Sequence, residues 1–206
     1  MRRSAVKSLR AVAACALLAC GLVGVPAGAQ ATSPAPIASP AASPPPSLQA
    51  GAPMGVQMEL PARFGAYVEG KASRDDIFAA LQAAFGKVNA ALGGAGLKAS
   101  GHPLAVFLEA SEESFKFRAM VPIEAIPDGK TALGDDVKLG RGPVGKAMRF
   151  EHRGAYEDID GTYEAITAYL DEKSIEALDI FVEEYLNDVT NPIDPNLQVD
   201  IYVLLQ

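Results

Sequence analysis

The 206-residue sequence has no tryptophan, two cysteines and two histidines. Both cysteines, Cys15 and Cys20, fall in the first twenty residues. The remainder therefore has no disulfide, no thiolate nucleophile and no cysteine metal site. His102 and His152 lie on separate segments, with no partner at ligand spacing, so neither a metal nor a haem is expected. Basic charge is scarce where it would matter. The net charge is -7, and Arg2, Arg3, Lys7 and Arg10 carry all the charge of the first 29 residues. Removing those four leaves 14 basic against 25 acidic side chains, 14 - 25 = -11. Such a chain lacks the basic footprint of a nucleic-acid partner and the attraction that docks proteins on anionic lipid.

Charge is also absent from residues 30–58, and aromatic residues are absent before Phe64. Seven of the fifteen prolines fall within 34–53, among Ala and Ser. A segment of this kind buries too little apolar surface to offset chain entropy, and 30–57 reads as a flexible, partly polyproline linker. Ahead of it, MRRSAVKSLR is a basic n-region, AVAACALLACGLVGV (11–25) is apolar, and Ala27-Gly28-Ala29 offers an A-x-A cleavage site. Fifteen apolar residues are fewer than the ~20 a membrane span needs. Residues 1–29 thus read as a signal peptide of an exported, periplasmic protein. Leu17-Leu18-Ala19-Cys20-Gly21 also resembles a lipobox; in that alternative Cys20 is lipidated, and only then would the chain meet a membrane.

The folded domain is expected over 58–206 and reads as two similar units, about 58–123 and 137–206. The first runs strand (58–70), helix, strand (102–110), strand (114–123). Its helix has Ser73 and Asp76 in capping-box spacing, an apolar stripe of Ile77, Leu81, Phe85, Val88 and Leu92, and an end at Gly93-Gly94. The second runs strand (145–154), helix (about 158–173, striped by Ile159, Tyr163, Ile166 and Leu170), strand (179–188), strand (197–205). Gly70 and Gly154 stand 84 apart, Phe78 and Tyr163 85, Phe107 and Tyr185 78, Val121 and Val203 82. The fold class is α+β: two βαββ units, each able to pair its last two strands as an antiparallel hairpin with the helix covering one sheet face. Gly140-Arg141-Gly142-Pro143 reads as a turn, and Asp194-Pro195-Asn196 as a loop.

Glu183 and Glu184 sit among apolar neighbours in one strand, so alternation sends them to opposite faces. Glu183 goes with Phe181, Tyr185 and Asn187; Glu184 goes with Val182 and Leu186. A carboxylate in a semi-apolar place is costly without a partner.

The stretch GPVGKAMRFEHRGAYEDIDGTYEAITAYLDE resembles the second-half signature of the GyrI-like small-molecule-binding domain, also the effector-binding part of AraC-type regulators. The pattern is His152, Gly154, Tyr156 and Glu157, a helix, then Glu183, Tyr185, Leu186, Asn187 and Asp188, then Asp200, Ile201, Tyr202 and Val203. The resemblance implies two βαββ units in pseudo-twofold arrangement with an antiparallel sheet and a cleft between the units, which holds a cationic or amphipathic organic molecule against an acid. By position that acid is Glu183, with Tyr156, Tyr185, Tyr202 and Phe107 as pocket aromatics. Tyr163 is expected to face the core, and His152 to be structural. No cofactor and no catalytic residue is implied. No helix-turn-helix segment is present, so DNA regulation is not carried over. The rival readings are a hydrolase, with Glu183 as base and Tyr156 or Tyr185 as proton donor, and an envelope protein-interaction module.

Overall fold

The computed structural model describes residues 55–111, 113–188 and 190–206. The expected signal peptide, with both cysteines, and nearly all of the linker lie outside the described residues. The elements are β1 (Val56–Leu60), β2 (Phe64–Ser73), α1 (Ile77–Gly94), β3 (Leu104–Ala110), β4 (Ser114–Ile123), β5 (Ala132–Leu133), β6 (Val137–Arg141), β7 (Gly145–Arg153), a 3-10 turn (Tyr156–Asp158), α2 (Ile159–Lys173), β8 (Ala177–Tyr185) and β9 (Gln198–Leu205). Every strand pairs antiparallel in one nine-stranded sheet, ordered β1-β7-β9-β8-β3-β4-β2-β6-β5.

The α+β class stands, with the expected helix stripes buried. Strand placement reads alike from both ends: β2–α1–β3–β4 gives β2-β4-β3, and β7–α2–β8–β9 gives β7-β9-β8. The two runs meet in the β3–β8 pairing, Leu104 opposite Glu184 through Phe107 opposite Phe181. Both helices pack on one face of the sheet and bury Phe107, Phe117, Phe150, Phe181 and Ile201 beneath them.

Four sequence expectations are corrected. The stretch 58–70 is two strands rather than one. Pro61 lacks an N–H for a ladder, and the chain leaves β1, paired with β7, for β2, paired with β4 and β6. Gly140 and Arg141 are not in a turn but end β6, beside Gly65 and Phe64. A side chain at Gly140 would meet the Tyr67 ring at 2.9 Å, which is why the position reads as turn-like glycine while lying in a strand. The Ser73–Asp76 pair forms, with the Asp76 N–H donating to Ser73 Oγ at 3.2 Å and the Ser73 hydroxyl to Asp76 Oδ2 at 2.6 Å. It ends β2, however, and Asp76 itself stands at the helix N-cap. Gly93 and Gly94 belong to α1; the chain reverses at Gly96, where φ is +68°.

Two short links bend the sheet. Only Pro61, Ala62 and Arg63 join β1 to β2, six places apart in strand order; only Gly142, Pro143 and Val144 join β6 to β7, also six apart. Six strand spacings laid flat measure about 29 Å, whereas three linking residues reach about 14 Å at most. The sheet must curl until its ends approach. It curls away from the helices, and the two links cross the inside of the curl, tied by the Gly142 N–H donating to Arg63 O at 2.8 Å. Leu60, Pro61 and Arg63, with Gly142 and Pro143, face Leu104 and Val182 of the central strands across one small cavity. A second core of Leu60, Leu104, Val106, Met120, Val182, Tyr202 and Leu204 is thereby sealed on this face.

Arg63 also clasps the central strand. Its Nη1 and Nη2 donate to Glu184 Oε1 and Oε2 at 2.5 and 3.4 Å, and the Tyr202 hydroxyl donates to Oε2 at 2.6 Å. Arg63→Ala should cost about 2–4 kcal/mol in urea unfolding, because it strands a buried carboxylate. Adding Glu184→Gln should return part of that loss. A cost near zero for Arg63→Ala would show that the clasp does not hold the curl closed.

A buried glutamate among tyrosine hydroxyls

β8 alternates as its sequence requires. Phe181, Glu183 and Tyr185 join the helix-side core, while Val182 and Glu184 face the inside of the curl. Glu183 is 1 % exposed. Its neighbours across the ladder are Ala105 of β3 and Ile201 of β9, both apolar. Three hydroxyls converge on the carboxylate: Tyr163 donates to Oε1 at 2.8 Å, Tyr185 to Oε2 at 2.5 Å, and Tyr156 to Oε2 at 3.4 Å. The tyrosines come from three elements: Tyr185 two residues along β8, Tyr163 in α2 and Tyr156 in the 3-10 turn.

Aromatic rings close the site. Phe78 of α1 lies 4.9 Å from the Tyr156 ring, and Phe85 of α1 lies edge-on to Tyr185 at 5.5 Å. Phe181 meets Tyr163 at 5.3 Å, and Tyr156 stacks with Tyr185 at 6.5 Å. Arg74, just before α1, pairs with Asp160 in the first turn of α2 at 3.6 Å. The cleft expected between the two runs is closed over the acid, which these rings leave 1 % exposed.

The 3-10 turn is held by the residues before it. Gly154 has φ of +141°, a conformation that strains any side chain. His152 is buried. Its Nε2–H donates to Ala155 O at 3.1 Å, and its Nδ1 meets the Thr162 hydroxyl at 2.7 Å. Burial holds the ring's pKa below its ordinary value, and in the neutral ring Nδ1 accepts from Thr162. His152 is structural, as expected, and what it fixes is the segment that carries Tyr156. Glu157 of the same motif points to solvent.

Of the sequence candidates, Glu183, Tyr156 and Tyr185 come together. Tyr202 does not: β9 turns Val199, Ile201 and Val203 to the helices, so Tyr202 faces the curl and donates to Glu184. Phe107 stands one ring away, stacked on Phe181 at 5.1 Å. Tyr163 is the residue undervalued in the sequence. It faces the core, as its stripe predicts, yet a buried phenol needs an acceptor, and that need was its signal. Among the described residues no group of three or more His, Cys, Asp or Glu is placed to hold a metal.

Electrostatics follow from dryness. Burial pushes the Glu183 carboxyl up to about 7, against the three hydroxyl bonds, which pull it down; Asp160 adds a smaller upward push. Burial, and then the negative charge of Glu183, raise all three phenols, so they stay protonated donors.

Residues 59–206 match the model of the GyrI-like small molecule binding domain. The chain belongs to this family. Among curated proteins none matches it. Solved structures do. EcmrR in complex with DNA matches with a TM-score of 0.63 at 11% identity, over 75% of this chain and 58% of that one. SAV2435 bound to tetraphenylphosphonium matches with a TM-score of 0.54 at 13% identity, over 74% of this chain and 94% of that one. A hydrolase from Listeria innocua matches with a TM-score of 0.53 at 15% identity, over 74% and 91%. Likeness at such identities is likeness of fold. This GyrI-like chain spans 58% of the length of EcmrR.

A raised carboxyl pKa sets the sign of a stability profile. The folded value near 7 lies above the ordinary 4.5, so the stabilisation tied to this proton is complete below about pH 4.5 and is lost as pH rises through 7. From pH 5 to pH 8 the wild type should lose about 2–3 kcal/mol that Glu183→Gln does not lose. Urea unfolding of both proteins at the two pH values measures the difference, and parallel profiles would place the titration elsewhere.

Proposed function

We propose that this domain binds a cationic or amphipathic organic molecule against Glu183, within the aromatic enclosure of Tyr156, Tyr163 and Tyr185. One observation carries the reading: a carboxylate that is 1 % exposed has three neutral donors and takes part in none of the described ion pairs. Hydroxyls orient a carboxylate but bring no countercharge. An entering cation does, and each ring it faces adds about 0.5–2 kcal/mol of cation–π attraction. The Tyr156 turn and the N-terminal ends of the two helices must part to admit it. Contacts that hold them together include the Phe78–Tyr156 ring contact and the 3.6 Å Arg74–Asp160 ion pair. That SAV2435, of the same fold, was solved with tetraphenylphosphonium supports the choice of ligand class.

The wider setting is also proposed. The basic, apolar and A-x-A segments of residues 1–29 support export to the periplasm, with lipidation at Cys20 as the alternative, and 30–57 would tether the domain. A net -11 after residue 29 supports a role without nucleic acid. The matching strand placement of the two βαββ runs supports an internal duplication. A second functional reading, hydrolysis of a small electrophile, has one observation in its favour: a carboxyl near 7 beside phenols suits a general base. Turnover of activated esters or epoxides, abolished in Glu183→Gln, would select it.

Tetraphenylphosphonium at a hundredfold excess over its Kd should stabilise the wild type by about 2.7 kcal/mol, a rise of a few degrees in Tm. Glu183→Gln should show little or no rise. Absence of any shift with tetraphenylphosphonium, quaternary ammonium dyes and rhodamines would sink the reading.

A further inference from the structure

We propose that the site exchanges a proton for its cation: Glu183 is held as the neutral acid when the site is closed and releases its carboxyl proton to solvent as the organic cation takes its place. This rests on the binding reading and adds its coupling to protons.

The surroundings of Glu183 supply the reason, element by element. β3 and β9 flank it with Ala105 and Ile201. β8, the 3-10 turn and α2 contribute the hydroxyls of Tyr185, Tyr156 and Tyr163, all held in the protonated form. α1 reaches the cluster through Phe78 and Phe85, which touch tyrosine rings. β7 brings His152, whose burial holds its pKa below the ordinary value and favours the neutral ring. The remaining described charge that acts on the acid is Asp160, of the same sign and already bridged to Arg74. No positive group faces the carboxyl from any of these elements, so in the closed site the cheapest neutraliser is a proton.

The exchange balances in charge and atoms. The O–H bond of the Glu183 carboxyl breaks, its electron pair stays on the carboxylate, the proton passes to water or buffer, and the cation supplies the missing positive charge. The enclosure holds one net neutral pair before and after, which is why the two occupants exclude each other. In the acid form one hydroxyl turns from donor to acceptor; Tyr156, the longest contact at 3.4 Å, has the room.

The test uses the folded chain and tetraphenylphosphonium, a permanent cation with no titration of its own. With a closed-site carboxyl near 7, the cation should bind about tenfold more weakly at pH 6 than at pH 8. Calorimetry at pH 6 in phosphate and in bis-Tris, buffers of different ionisation enthalpy, should count about 0.9 proton released per cation, falling to about 0.1 at pH 8. Glu183→Gln should release none at either pH. Tight binding that is equal at both pH values, with no proton released, would overturn the exchange and leave the binding reading standing. So would release that persists in Glu183→Gln. Absence of binding at pH 8 would remove both.

Discussion

A carboxyl group sealed from water inside a protein has two stable conditions: it keeps its proton, or it meets a positive charge. Glu183 has neither an arginine nor a lysine among its described partners. Everything around it follows from that constraint. Three phenols satisfy its lone pairs, two helices exclude water above it, and its titration moves into the neutral range. Such a group contributes nothing to stability that a glutamine or a leucine could not contribute better. Its presence is a cost carried in the middle of the sheet, and the proposed cation site would account for it.

The next residue gives the contrast within one strand. Glu184 faces the other side and is nearly as buried, 5 % against 1 % exposed. There the chain supplies a two-pronged arginine, itself fixed on the link that crosses the curl. Asp200, opposite Glu184 on β9, likewise takes Arg149 and Arg153 at 3.0 and 3.3 Å. Where a buried acid has an architectural role, this fold pairs it with a cation of its own. The same fold leaves Glu183 to hydroxyls alone.

Much of this was legible in the residues. The stripes of α1 and α2 follow from spacing, and the opposite placement of Glu183 and Glu184 follows from the two-residue period of a strand. What one strand's period cannot give is its register against the next. Tyr202 and Tyr185 each alternate correctly, yet a one-residue difference in pairing decides whether their faces coincide, and they do not. The same ignorance of pairing hid the role of Pro61 and of β6. Two three-residue links are unremarkable in the sequence. They become a constraint only when strand order shows that each must cross six places of the sheet. Tyr163 was hidden differently: an aromatic in an apolar stripe reads as core, and its hydroxyl finds an acceptor only once another strand brings Glu183 beneath it.

The His152-x-Gly154-x-Tyr156 spacing carries one more step. Gly154 turns the chain out of β7 with a φ that other residues reach only under strain, His152 ties the Ala155 carbonyl and the Thr162 hydroxyl to the sheet, and Tyr156 then falls over the acid. Three separated residues thus perform a single task, the presentation of one hydroxyl. That hydroxyl sits on a turn of three residues, whereas the other two sit within a long helix and a central strand. A turn hinged on glycine is the softest of the three supports, and it bears the longest of the three bonds. The enclosure is therefore weakest on the Tyr156 side, where the two helix ends meet.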